Sequence, residues 1–93
     1  MKYFDWNEIK NSRLRVEREV CFEDVIIAIS EGNLLDILQN SNQTKYPSQK
    51  VFVVKVNNYV YLVPFIEDEE KYFLKTIYAS RKMTKIYLFG RTK

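Results

Sequence analysis

A pair of apolar segments joined by two asparagines most constrains how this chain folds. Residues 51–56 and 59–66 are rich in valine and aromatic residues, which favour β-strands. Asn57-Asn58 lies between them, and asparagine tolerates the positive φ angles that a two-residue hairpin turn requires. The sequence therefore predicts an antiparallel β-hairpin centred on this turn.

Two helices are predicted before the hairpin. The first runs from about Trp6 to Glu19, where Asp5 and Glu8 form the pattern of a capping box. The second runs from Phe22 to Ser30, because apolar residues recur there at helical spacing and Gly32-Asn33 follows as a stop signal. The predicted buried face of the first helix contains Trp6, Ile9, Val16 and Val20.

The remaining segments complete an α+β pattern. We expect one domain over residues 1–93, with the two N-terminal helices packed on a mostly antiparallel sheet of about four strands and a short C-terminal helix. The other predicted elements are a strand at 34–38, a loop at 40–49 with Pro47, an acidic turn at 67–70, a strand at 72–78, a helix at 79–88 and a frayed end from Phe89. Pro64, which lacks an N–H donor, is expected at a sheet edge or a bulge.

Both faces of this sheet are predicted to be apolar. Ile66 is expected to pair with Lys71 across the acidic turn, and Tyr59, Tyr61, Tyr72 and Tyr78 then share one face. Those tyrosines either stack on unpaired bases or pack against each other across the strands. The helices cover one face only, so the other requires a partner, a second copy of the chain or the C-terminal segment.

The composition excludes several kinds of site. The 93-residue chain contains no histidine and one cysteine, Cys21, which excludes histidine-based catalytic pairs, a disulfide within the chain and cysteine-based zinc sites. We expect a cytoplasmic protein without membrane contact, because no signal peptide or membrane-spanning run is visible. We also expect no cofactor and no metal. The acids at 67–70 are interpreted as a solvated turn rather than a metal site.

Basic residues are concentrated at the C-terminal end. Residues 71–93 contain seven lysines and arginines and no acid, although the whole chain carries a net charge of only +3. The first 70 residues hold the other eight basic residues and all twelve acids. This asymmetry predicts an anionic partner, either a nucleic acid or an acidic protein segment; the alternative is a solvated basic tail.

Three short motifs resemble the BrnT family of toxins. The stretch Phe4-Asp5-Trp6-Asn7 is similar to the aromatic and acidic opening of those proteins, and Val20-Cys21-Phe22-Glu23-Asp24 to their second helix start. Ala79-Ser80-Arg81-Lys82-Met83-Thr84 is similar to their "S-A-R-K-A-T" segment. The resemblance covers about residues 4–86. Two departures are Cys21 in place of a capping serine and Thr76 in place of an arginine.

The resemblance implies a toxin of a type II toxin–antitoxin pair with a RelE-like fold. Such a toxin is a metal-independent ribonuclease that arrests translation, acts on RNA either free or on the ribosome, and meets DNA only through its cognate antitoxin protein. Arg81 and Lys82 match the family's Arg-Lys pair and are expected to be catalytic, and Lys75 and Tyr78 are added as catalytic candidates from their chemistry alone. The expected RNA-binding residues are Lys55, Lys85 and Tyr61. The alternatives are a non-catalytic binding module, such as a corepressor of its antitoxin, and a ParE-like poison of a DNA enzyme.

Overall fold

The computed structural model describes residues 2–39 and 49–89, where helices pack on one mixed sheet. The predicted loop and the predicted frayed end lie largely outside these residues. The strands are β1 (Tyr3–Trp6), β2 (Leu34–Gln39), β3 (Gln49–Val56), β4 (Tyr59–Glu67), β5 (Lys71–Leu74) and β6 (Tyr78–Ala79). The helices are α1 (Glu8–Arg18), α2 (Phe22–Ser30) and α3 (Arg81–Thr84), and a π-helical turn at Lys85–Phe89 continues α3.

The sheet has six strands rather than the four predicted, and it is not purely antiparallel. The main order is β1-β5-β4-β3-β2, and β6 pairs with β4 beyond the end of β5. The additional strand β1 runs parallel to β5, so that Phe4 lies beside Tyr72 and Trp6 beside Leu74. The α+β class is confirmed, and the strand count is corrected because the N-terminal segment joins the sheet before α1 begins.

The central hairpin forms as the two asparagines predict. Asn57 and Asn58 adopt φ angles of 54° and 62°, and Val56 pairs directly with Tyr59. β3 and β4 then pair along their length, up to Gln49 opposite Ile66. This hairpin fixes which side chains of β3 and β4 share a face of the sheet.

The next turn shifts the predicted register by two residues. Ile66 pairs with Phe73 rather than with Lys71, because Asp68 rather than Glu67 begins the turn. The Asp68 carboxylate accepts hydrogen bonds from the backbone N–H groups of Glu70 and Lys71, which lower its pKa. Since side chains alternate with a period of two, this shift leaves the predicted faces of β4 and β5 unchanged.

Helices α1 and α2 cover one face of the sheet, called here the helix side. Phe52 and Phe65 stack there with ring centroids 3.9 Å apart, and Phe4 and Tyr72 pack against them. Burial of these large rings is a major contribution to stability. The buried members of this core are Leu14, Val20, Phe22, Val25, Ala28, Phe52, Val54, Val56, Val63, Phe65, Leu74 and Ile77.

The first helix begins later than predicted and buries a different face. Asn7 rather than Asp5 caps it, by accepting a hydrogen bond from the N–H of Lys10. Ile9 and Val16, which were predicted to be buried, are 73% and 81% exposed. The residues of α1 that are buried are Asn11 and Leu14, on the opposite side of the helix. The prediction was wrong for Ile9 and Val16 because the polar residue Asn11 lies at the centre of the buried face, whereas Val20 is buried and Trp6 packs against the core as predicted.

Asn11 is fully buried and holds the start of α2 against α1. Its side-chain oxygen accepts a hydrogen bond of 2.7 Å from the N–H of Phe22, and its amide donates one of 2.8 Å to Glu23. The Asn11 amide is also the main reason that the Glu23 carboxyl has a lowered pKa. A buried amide with both groups paired fixes the position of the two helices.

Replacing Asn11 with alanine tests this contact. In Asn11→Ala the N–H of Phe22 remains buried without its acceptor, so we expect a loss of about 1–3 kcal/mol in the free energy of unfolding. Urea denaturation followed by circular dichroism measures it, with the exposed neighbour Ser12→Ala as control. Equal stability of the two variants would show that the contact is not structural.

Candidate functional site

The chain between β5 and β6 contains one residue more than the strand with which it pairs. The N–H of Lys75 donates to the carbonyl of Pro64 over 2.8 Å, and three residues later Tyr78 pairs with Leu62. The three-residue step from Lys75 to Tyr78 therefore advances as far along the sheet as two residues of β4, which defines a β-bulge. The prediction of one continuous strand from Tyr72 to Tyr78 is corrected. Pro64 lies beside the bulge and has no N–H to return to Lys75.

The bulge consists of Thr76 and Ile77, which together lie opposite Val63. The side chain of Ile77 is fully buried in the core on the helix side. Its carbonyl accepts a hydrogen bond of 2.7 Å from the guanidinium of Arg18, at the end of α1. A bulge removes a carbonyl from the regular pairing, and Arg18 supplies the missing donor.

The extra residue moves Tyr78 to the other face of the sheet. Tyr78 pairs with Leu62 and so shares its face, whereas Tyr61 belongs to the helix side. The predicted cluster of four tyrosines on one face was therefore wrong. Tyr59 and Tyr61 stay together, with ring centroids 5.8 Å apart. Tyr72 lies further along the sheet, among the phenylalanines of the core.

A closed set of hydrogen bonds anchors α3 to β4. The N–H of Ser80 donates to the carbonyl of Val60 over 3.0 Å, as a strand would. The N–H of Val60 donates in turn to the hydroxyl of Thr84 over 3.0 Å, and that hydroxyl donates to the carbonyl of Ser80 over 2.7 Å. The Ser80 hydroxyl caps the helix by accepting from the N–H of Met83. Thr84 is buried, so this anchor fixes where α3 begins.

The C-terminal segment, Arg81–Phe89, covers the second face of the sheet. From Thr84, above β4, it reaches β2, where the Tyr87 hydroxyl donates to the Asp36 carboxylate over 3.0 Å. Burial and then that carboxylate raise the pKa of Tyr87. Val53 and Val60, which lie along this path, are 0% exposed. The sequence left three possible covers for this apolar face: a partner, a second copy of the chain or the C-terminal segment. The C-terminal segment covers it, so the apolar character of this face does not indicate a partner.

Six of the seven predicted site residues belong to the side of the sheet that carries α3. Arg81 and Lys82 are exposed in the first turn of α3, and Lys85 is exposed in the turn that follows. Lys55 lies opposite Val60, whose N–H bonds to α3. We call this set the basic face; it consists of Lys55, Lys75, Tyr78, Arg81, Lys82 and Lys85.

The seventh predicted residue, Tyr61, is separated from the others by the sheet. It is half-buried on the helix side, packed against the core and beside Tyr59. The bulge brings Tyr78, which is 40% exposed, to the basic face in its place. A sheet face thus offers one accessible aromatic ring among several cations.

No cation of the basic face forms an ion pair in the described part of the chain, although Lys55 lines a pocket that also contains Asp24 of α2 and Glu31, which follows α2. Lys75 does contact an aromatic ring, since its Nζ lies 5.6 Å from the centroid of Phe73. The positive charge of this face is therefore available to an external anion.

The acidic turn serves the fold. Glu67 pairs with Lys2 and with Lys50, which is 3.5 Å away, and these partners lower the pKa of its carboxyl. Asp68 accepts hydrogen bonds from the turn's own backbone. Among residues 2–39 and 49–89, no group of three or more acids or cysteines is placed to hold a metal ion.

Sequence reasoning missed two residues that position this face. Arg18 was not among the predicted site residues, although its guanidinium donates to the carbonyl of Ile77 in the bulge. Thr84 was noted only as part of the motif, although its hydroxyl completes the pairing of β4. The serine and threonine four residues apart around Arg81 and Lys82 were the available signal for an anchored turn.

Comparison with known proteins gives no family for this chain. No protein-family model, no curated protein and no solved structure matches it. Within the residues that the structure describes, no helix has both the length and the hydrophobicity needed to cross a membrane. The residues of the basic face and the motifs in the sequence are therefore what indicates the function of this protein.

Removing the Thr84 hydroxyl tests the anchor of α3. Thr84→Val keeps the shape but leaves the N–H of Val60 buried without an acceptor, so we expect a loss of about 1–3 kcal/mol in unfolding free energy. Thr84→Ser keeps the hydroxyl and is expected to retain most of the stability. Chemical denaturation of the parent and both variants measures the unfolding free energy. A valine variant as stable as the parent would contradict the role of the Thr84 hydroxyl as the anchor of α3.

Proposed function

We propose that this protein is a BrnT-like toxin of a type II toxin–antitoxin pair, with a RelE-like fold, that binds and cleaves RNA in the cytoplasm. The observation that carries the proposal is the basic face, where Arg81 and Lys82 begin a helix anchored to the sheet. These two residues are also those in which the sequence resembles the BrnT motif most closely. An antitoxin protein is the expected partner, and contact with DNA occurs only through it.

The composition of the basic face suits single-stranded RNA. Arginine binds phosphate through two parallel N–H groups, and lysine binds it as a point charge. Tyr78 presents an exposed ring beside these cations, and a tyrosine on a sheet stacks on an unpaired base. Lys55 and Lys75 extend the positive charge across the sheet on the same side.

Cleavage would use the RNA's own 2′-hydroxyl. Its oxygen attacks the neighbouring phosphorus, the bond to the 5′-oxygen of the next nucleotide breaks, and a proton moves from the first oxygen to the second. Arg81 and Lys82 would stabilise the negative charge that develops on the phosphate, which is often the largest catalytic contribution. Tyr78 or Lys75 would transfer the proton.

A second candidate is a non-catalytic binding module, such as a corepressor of the antitoxin. The absence of histidine favours it, because lysine and tyrosine ordinarily titrate near about 10 and transfer protons poorly at neutral pH. This candidate uses the same basic face to bind an anionic partner but predicts no RNA cleavage.

Single substitutions in α3 test the proposed function. Arg81→Ala and Lys82→Ala each remove one exposed charge of the basic face, so we expect about tenfold weaker binding of a fluorescein-labelled single-stranded RNA. Expressed in a bacterial host without an antitoxin, the parent is expected to arrest growth and fragment total RNA, and both variants to do neither.

Arg13→Ala is the matched control, because Arg13 is an exposed arginine of α1 and is not part of the basic face. It is expected to bind and cleave RNA like the parent. Binding without cleavage by the parent would favour the non-catalytic module. Loss of RNA binding in Arg13→Ala, but not in the α3 variants, would contradict the proposed site.

A further inference from the structure

An open groove runs between the N-terminal half of α1 and strand β5. Its volume is about 560 Å³. β1 ends at Trp6, and the groove begins where the chain leaves the sheet to form α1. The residues that line it are Asn7, Ile9, Lys10, Arg13, Phe73, Leu74 and Lys75.

An apolar stripe on α1 begins at Ile9 in the groove and continues to Val16, beyond the groove lining, and nothing in the described part of the chain covers it. Ile9 is 73% exposed, and Val16, two helical turns further on, is 81% exposed. Residues seven apart lie on the same side of a helix, so the two side chains form one line along α1. Two exposed β-branched side chains in one line are suited to burial against another apolar surface.

The charges of the groove have a single sign. Lys10, Arg13 and Lys75 line it, and none of its lining residues is acidic. None of these three forms an ion pair within the described residues. Lys75 and Lys71 also place their ammonium groups 5.6 and 5.8 Å from the centroid of the Phe73 ring. The groove therefore combines an apolar surface with uncompensated positive charge.

We propose that this groove binds an acidic, amphipathic segment of a partner protein. The segment's carboxylates would pair with Lys10 and Arg13, and its aliphatic side chains would pack on Ile9 and Val16. An RNA strand would pair with the positive charges, but its sugar–phosphate backbone has no aliphatic side chains that would pack on Ile9 and Val16. Phe73, the aromatic ring of the groove, has two ammonium groups beside it, which leaves less of it open to a base.

Apart from Lys75, which belongs to both, the groove and the basic face consist of different residues, so peptide binding in the groove does not depend on the RNA-binding proposal. The groove is built from α1 and β5, whereas Arg81, Lys82 and Lys85 belong to the C-terminal segment. Lys75 borders both surfaces and is left unchanged in the test. A partner segment in this groove would bind whether or not the chain cleaves RNA.

The test uses fluorescence anisotropy with labelled synthetic peptides and the whole protein. The probe is a short peptide in which glutamates and leucines are spaced to give one acidic and one apolar helical face. One comparison peptide replaces each leucine with serine, and another replaces each glutamate with lysine. A labelled single-stranded RNA is titrated in parallel.

Two exposed substitutions on α1 separate the two kinds of contact. Ile9→Ser removes part of the apolar stripe, and Arg13→Glu reverses one charge of the groove. We expect each to weaken binding of the acidic, leucine-containing peptide by about tenfold. Both positions are exposed, so the fold is expected to survive, and circular dichroism checks this.

Lys85→Glu is the matched charge reversal on the basic face. It is expected to leave peptide binding unchanged and to weaken RNA binding, whereas Arg13→Glu does the reverse. Saturable binding of the acidic peptide alone, lost in both α1 variants, supports the inference. Absence of binding, equal binding of the serine peptide, or loss of RNA rather than peptide binding in Arg13→Glu overturns it.

Discussion

The hydroxyl of Thr84 connects helix α3 to strand β4 of the sheet. It accepts a hydrogen bond from the N–H of Val60, near the start of β4, and donates one to the carbonyl of Ser80, where the chain leaves the sheet. Without that acceptor, the N–H of Val60 in β4 would be buried and unpaired, which is costly. The same contact directs the following residues across the second face of the sheet. The direction of Arg81 and Lys82 therefore depends on one buried side chain.

The bulge at Thr76 and Ile77 complements this anchor. By adding one residue, it keeps Ile77 in the core and turns Tyr78 to the face on which α3 lies. Arg18 satisfies the carbonyl that the bulge releases and so connects α1 to the same region. Bulges commonly redirect side chains beside functional sites, and here the redirected residue is an aromatic ring among cations.

Much of the fold was predictable because its signals are local. The turn at Asn57-Asn58 and the bounds of α2 follow from residues within a few positions of each element. Strand β1, the buried face of α1 and the bulge were not predictable, since each depends on a distant partner. Asn11, for example, is buried only because α2 offers it a donor and an acceptor. For the site, the charged residues were found from composition and motif, but the face of Tyr78 required the structure.

The most direct measurement is a nuclear magnetic resonance titration of the isotopically labelled protein with a short single-stranded RNA. We expect the amide shifts to concentrate at Lys75–Lys85 and on β3 near Lys55, with little change along α1. Shifts that concentrate on α1, or no shifts at RNA concentrations that saturate other single-strand-binding domains, would contradict the central claim that the face carrying α3 binds RNA.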